Sequence, residues 1–173
     1  MGRMSGPKLK SGGAAAHEAD VGSQPATLGE IGLDRFAPYL MNRVMGRWNA
    51  DIQKALREFG LTTAQMRALA VLSVIPGLTI MELSVYTVTE QSTMSRTLDG
   101  LESQGFVRRV ARADDARARE IFLTDAGAAA FARVWPLMRD AYEKMLAGIG
   151  EEEREAFLGT LRRIVRNVRR HNL

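Results

Sequence analysis

Ser92, Thr93 and Arg96 place two short hydroxyl side chains close to a long planar guanidinium. A guanidinium offers a rigid fork of donors that fits two coplanar acceptors, such as O6 and N7 of guanine, and short polar neighbours permit close approach. Gln91 adds an amide that both donates and accepts. A second group follows in the polar segment 113–118, where Arg117 stands two residues after Asp115. A guanidinium on a protruding loop can enter the narrow, strongly negative minor groove of A·T-rich duplex DNA. Asp115 suits holding that loop or Arg117 in shape, and equally suits an ordinary turn. Arg108, Arg109, Arg112 and Arg119 flank the segment and suit phosphate contacts, which supply affinity without sequence preference.

Other chemistry finds little to build on. The chain has no cysteine, which excludes disulfides, thiolate metal sites and thiol redox sensing within it. The two histidines, His17 and His171, fall in expected tails, so no imidazole set for a transition metal can be assembled. Ser92 and Ser95 have no histidine within reach, Asp114-Asp115 reads as a turn, and neither paired carboxylates nor a Gly-rich phosphate loop occurs. The expectation is a protein that is no enzyme and needs no cofactor. The net charge of +4 permits an acidic partner, but a solvated arginine-rich face gives the same total. No apolar run approaches the roughly 20 residues that span a bilayer, and no apolar stretch follows Lys8 and Lys10. An intracellular, cytoplasmic protein without membrane contact is expected.

The elements that would position these residues are mostly helical. Residues 1–28, rich in Gly, Ser, Ala and Pro, read as a flexible extension. Phe36, Leu40, Val44, Trp48, Ile52 and Leu56 recur at four-residue spacing and predict one long helix that ends at Gly60. Thr62 with Gln65, and Thr79 with Glu82, are capping boxes that open two further helices, the first stopped by Pro76-Gly77 and the second turning Ile80, Leu83 and Tyr86 inward. After a turn at Val88–Thr89, a helix over 90–104 puts Met94, Leu98 and Leu101 on one face. Ser92, Arg96, Asp99 and Ser103 fall opposite, with Thr93 and Gly100 beside them. Strand-like runs at 106–112 and 119–123 enclose the polar segment as a β-hairpin. Thr124 caps a long helix carrying Phe131, Val134, Met138, Tyr142 and Met145, with a kink expected at Pro136. Past Gly148 and Gly150, a last helix starts with Glu151–Glu153 and carries Phe157, Leu161, Ile164 and Val168 as a seam. The fold class is therefore mainly α with a small β-hairpin wing: a winged helix-turn-helix between N- and C-terminal helices. Its apolar stripes exceed what one small lobe can bury, which favours pairing with a second chain over packing within one.

The run Asp115-Ala116-Arg117, followed by Leu123-Thr124-Asp125-Ala126-Gly127, resembles the wing signature of the MarR family of bacterial transcription regulators. Glu82-Leu83 and Ser92-Thr93-Met94-Ser95-Arg96, with Leu98-Asp99 and Leu101-Glu102, are similar to that family's helix-turn-helix. The resemblance implies a homodimer, paired through helices in 29–60 and 128–173, with a DNA-binding lobe at 61–127 and a near-palindromic operator. It implies DNA contacts from Gln91, Ser92, Thr93, Ser95, Arg96, Arg112, Asp115, Arg117 and Arg119, with Arg96 in the major groove and Arg117 in the minor. It further implies a small aromatic or anionic effector, for which Arg43, Arg47, Trp48 and Met66 are the candidate contacts. Thr87 and Val88 stand where the family often has Leu and Gly, and Gly100 replaces a larger residue, which suggests a helix lying close to DNA. The expected function is a ligand-responsive, sequence-specific repressor. An effector-independent or non-specific DNA binder and a winged-helix protein-interaction module remain the alternatives.

Overall fold

A computed structural model of the chain describes residues 26–112 and 118–169. The chain divides into two compact units, residues 1–40 and 41–173. The described part of the first holds α1 (Leu28–Ile31), a 3₁₀ turn (Leu33–Arg35) and the start of α2 (Ala37–Leu56). A capping box opens α1: Thr27 Oγ1 accepts from the Glu30 amide, and the Glu30 carboxylate accepts from the Thr27 amide at 2.7 Å.

The second unit continues with α3 (Thr63–Val74), β1 (Leu78–Thr79), α4 (Ile80–Thr87), α5 (Gln91–Ser103), β2 (Val107–Ala111), β3 (Arg119–Leu123), α6 (Asp125–Met145) and α7 (Glu151–Val168). The capping boxes expected at Thr62/Gln65 and Thr79/Glu82 are both formed. Helix α3 is the hub: Met66, Ala68, Leu69 and Leu72 are buried, and it packs on α4, α5, α6 and β3. Ile52 and Leu56 from α2, Leu83 from α4, Val107 from β2, Ile121 from β3 and Val134 from α6 complete the core around it.

Met94, Leu98 and Leu101 of α5 are fully buried in that core. Burying each contributes about 1.5–3 kcal/mol. An exposed ion pair contributes about 0–1 kcal/mol. Apolar packing, not surface charge, therefore decides which face of α5 points outward. The turn before α5 carries a local strain. Val88 has φ 52° in the left-handed region and is 88% exposed. A β-branched residue there costs about 1–3 kcal/mol, with no packing in return.

Four expectations need correction. The hairpin is part of a three-stranded sheet, because Leu78–Thr79 adds to its far edge in the order β1-β3-β2. Two residues are too few to show a period, so this strand left no mark in the sequence. The first hairpin strand is shorter than expected, running from Val107 to Ala111 rather than from 106 to 112, while the second spans Arg119–Leu123 as expected. Tyr86 is exposed, and Thr87 is buried instead, its hydroxyl donating to the Leu83 carbonyl at 2.8 Å. Positions 80, 83, 84 and 87 share the inward face of this short helix, and 86 does not. Finally, Met145 is exposed at the end of the α6 stripe. Helix α6 contains Pro136 and is one unbroken element.

Helix α7 follows α6 after a short turn that Arg154 closes. Its guanidinium donates to the carbonyls of Ile149 at 2.8 Å and Leu146 at 3.0 Å, and to Glu143 at 3.0 Å. These bonds tie the turn after α6 to the first turn of α7. No residue of α7 is buried, and Phe157, Val165 and Val168 lie exposed on it.

The start of α6 meets the α5–β2 turn at backbone contact. A Cβ on Gly127 would stand 1.9 Å from the Phe106 carbonyl oxygen. Gly127→Ala is therefore expected to destabilise the fold by about 1–3 kcal/mol in chemical denaturation, as overpacking does. Glu82 supplies a pH signature. Its carboxylate accepts from the Thr79 amide and hydroxyl, both at 2.8 Å, and these bonds, with the nearby Arg112 charge, hold its pKa below the ordinary 4.5 against the opposing effect of burial. A carboxylate with a lowered folded pKa stabilises fully above its unfolded value and loses that contribution as pH falls through the folded one. Denaturation midpoints measured between pH 7 and pH 3 should show this acid-side loss in the native chain and a smaller one in Glu82→Gln.

Candidate nucleic-acid interface

Helix α5 begins at Gln91 after Glu90 and ends at Ser103, with Gln104 as its C-cap and Gly105 (φ 72°) reversing the chain. Gln91, Ser92, Thr93 and Arg96 are all exposed at its N-terminal half. Arg96 makes no ion pair with any described residue. The helix thus presents short polar groups and one outward guanidinium near its positive end. Ser95 sits differently. It is half-buried in a groove shared with Thr79, Met81, Arg109 and Arg119, between the start of α4 and the base of the hairpin.

The hairpin pairs β2 with β3 in antiparallel register, from Val107 opposite Leu123 to Ala111 opposite Arg119. The Arg112 amide donates to the Ala118 carbonyl at 3.0 Å and closes the ladder at the base of the tip. The tip itself, with Asp115 and Arg117, lies outside the described residues.

The four arginines expected to meet phosphates have separate environments. Arg119 is exposed. Arg108 stacks its guanidinium 4.9 Å from the centre of the Phe122 ring, its cross-strand partner, an arrangement that keeps the charge at the surface. Arg112 pairs with Glu120 at 3.7 Å. Arg109 is turned inward against α5, where it donates to Asp99 at 2.6 Å and to Glu102 at 3.0 Å. Its expected role as a phosphate contact conflicts with this geometry. Both of its donor branches already hold carboxylates. Asp99 and Glu102 were no part of the expected site. The signal was present: two acids three residues apart on one helix attract a compensating cation nearby.

The four candidate effector contacts fall in two cavities. Arg43, Arg47 and Trp48 line one of about 480 Å³ together with Asp51, Lys144 and Met145. Arg47 donates to Asp51 at 3.1 Å across one helical turn. Met66 is 3% exposed, a core residue at the edge of a second cavity of about 500 Å³. Trp48 borders both, and the second also meets Asn49, Arg67 and Tyr86. Arg67 donates to Asn49 at 2.9 Å and is the guanidinium on the Met66 side, which the sequence reading missed. Gly100 is also placed otherwise than expected. A Cβ there would meet the Gln65 amide nitrogen at 3.4 Å, so the residue faces α3 and not a DNA-side surface.

Among the described residues no cluster of His, Asp or Glu could hold a metal ion, and no helix is long and apolar enough to cross a membrane.

Comparisons with known proteins agree with this architecture. Residues 59–118, which include α3, β1, α4, α5 and β2 but end before β3, match the family model described as MarR family. A MarR family transcriptional regulator from Silicibacter pomeroyi is 49% identical and superimposes with a TM-score of 0.82, over 86% of this chain and 100% of that one. An HTH-type transcriptional repressor from Mycobacterium tuberculosis is 30% identical over 136 residues, 78% of this chain and 98% of its own. The transcriptional repressor CouR, solved bound to a 23-mer DNA duplex, is 26% identical with a TM-score of 0.68, over 82% of this chain and 99% of that one. The outward polar face of α5, the hairpin that follows it and these matches along most of the chain lead to one conclusion: the chain belongs to the MarR family of transcriptional regulators.

Proposed function

We propose that the protein is a homodimeric repressor that binds a near-palindromic operator in duplex DNA and is released by a small ligand. The observation that carries this reading is the exposed polar N-terminal half of α5, with Arg96 outward, beside a hairpin whose ladder closes just before its arginine-bearing tip. The repressor relatives and the DNA-bound CouR structure, with the same fold, support it. Residues 61–127 form the DNA-binding lobe, in which Arg96 reads the major groove and Arg117 the minor. Gln91, Ser92, Thr93 and Ser95 support α5 in the groove; Arg112, Asp115 and Arg119 support the hairpin. The work is binding, not catalysis, and its place is the cytoplasm, where the DNA is.

Helices in 29–60 and 128–173 form the dimer. The support is apolar surface without a cover: Val44 and Met45 on α2, and Phe157, Val165 and Val168 on α7, are all between 47% and 70% exposed. A second copy laid on these faces buries them. The effector is a small aromatic anion. Arg43 and Arg47 supply the cationic side of the cavity at Trp48, and an arginine fork suits a carboxylate. Met66 contributes through the neighbouring cavity that Trp48 also borders.

The decisive experiment selects bound fragments from genomic DNA and then screens aromatic carboxylates for release of the recovered duplex. Equal affinity for recovered and random duplexes at fixed salt would favour the non-specific alternative. Arg96→Ala should cost about 1–3 kcal/mol on the recovered duplex and relax preference at one base position. Equal losses on recovered and random duplexes would rule out a reading role for it. Deleting residues 151–173 should turn the dimer into a monomer in analytical ultracentrifugation, and a dimer that survives would place the interface elsewhere.

A further inference from the structure

The geometry points to Arg109 as a positioning residue that locks α5 to the hairpin, so that the two DNA-reading elements dock as one rigid unit. The inference rests on the reading of α5 and the hairpin as groove-reading elements. Arg109 is on β2, in register with Ile121 of β3, and its side chain is 28% exposed. One guanidinium nitrogen donates to Asp99 at 2.6 Å and the other to Glu102 at 3.0 Å. Asp99 lies on the same face of α5 as Ser92 and Arg96, and Glu102 follows it by three residues. The fork therefore spans two acids on one helix from a strand of the neighbouring element, which a single-point ammonium cannot do.

Two physical consequences follow. Asp99 and Glu102 put two negative charges on an element that must approach phosphates, and Arg109 offsets them locally. The bond also fixes the roll of α5 relative to the sheet. Rolling the helix about its buried Met94–Leu98–Leu101 face moves Asp99 and Glu102 relative to Arg109, so the two-branched fork opposes that roll. A residue that contacts no base can in this way set the geometry of those that do, and docking depends on placements within about 0.5 Å.

The alternative role, a phosphate ligand, predicts effects of different sign. The probes are the duplex recovered by genomic selection and a random duplex of equal length, titrated across a salt series with the full chain. Under the positioning role, Arg109→Gln lowers the recovered-to-random affinity ratio about tenfold while the slope of log affinity against log salt stays as in the native chain. The double variant Asp99→Asn/Glu102→Gln produces a similar loss of ratio, and combining all three substitutions adds little further, as expected for one coupled unit. Arg109→Lys keeps the charge and still loses most of the ratio.

A phosphate ligand behaves otherwise. Arg109→Gln then lowers both affinities equally and reduces the salt slope by about one, while removing the two acids raises both affinities. That pattern overturns the inference, as does an unchanged ratio in folded Arg109→Gln, which would leave the bridge a merely structural contact. Thermal melts taken alongside confirm that each variant is folded at the binding temperature. If the native chain itself shows no preference for the recovered duplex, the DNA-reading assignment fails; if it does and the variants keep it, only the role of Arg109 fails.

Discussion

The junction between the α5–β2 turn and the first turn of α6 is the constraint on which the arrangement of α5, the hairpin and α6 depends. Thr124 donates its amide to the Phe106 carbonyl at 3.0 Å and its hydroxyl to the Gly105 carbonyl at 2.6 Å, and accepts from the Gly127 amide at 3.1 Å. One threonine thus caps α6 and fastens it to the end of α5. Gly127 makes the approach feasible, because only a missing Cβ leaves room for the Phe106 carbonyl. The hairpin starts and finishes at this point, so its two strands, the helix before them and the helix after them share one anchor.

Charge is distributed by geometry more than by number. The arginines around the hairpin look alike in sequence, yet one stacks on Phe122, one pairs with Glu120 and one bridges Asp99 and Glu102. Arg96 and Arg119 are exposed and make no ion pair with a described residue. A net charge of +4 says little about which of them meet an acidic partner. Farther along, Arg154 serves the backbone, tying the end of α6 to the start of α7. Such bonds to turn carbonyls fix a turn that burial cannot, since α7 buries none of its own residues.

Capping boxes, glycine stops and four-residue stripes act within a few residues, and these local rules placed nearly every helix. Thr62/Gln65, Thr79/Glu82 and Thr124 cap where expected, and Gly60 and Gly105 end their helices in the left-handed region. The same local logic made the outward face of α5 readable, because a 13-residue amphipathic helix has one stable way to bury Met94, Leu98 and Leu101. It also made the hairpin readable, although its tip at Asp115 and Arg117 lies outside the described residues.

What local patterns left open was decided by partners distant in sequence. Leu78–Thr79 became a strand only because β3 offered it an edge. Tyr86 is outward because, once α4 packs on α3 and α5, its inward face runs through positions 80, 83, 84 and 87. The candidate effector residues separated into two cavities because Met66 faces the core and Arg47 faces Asp51. Arg109 changed from a surface cation into a bridge because the strand that bears it lies against two acids of α5. The sequence alone determined the long helices, the hairpin and the outward face of α5, since those follow from spacing within one turn or one strand. Tertiary structure alone decided which charges are spent inside the fold, since an ion pair needs both partners in place.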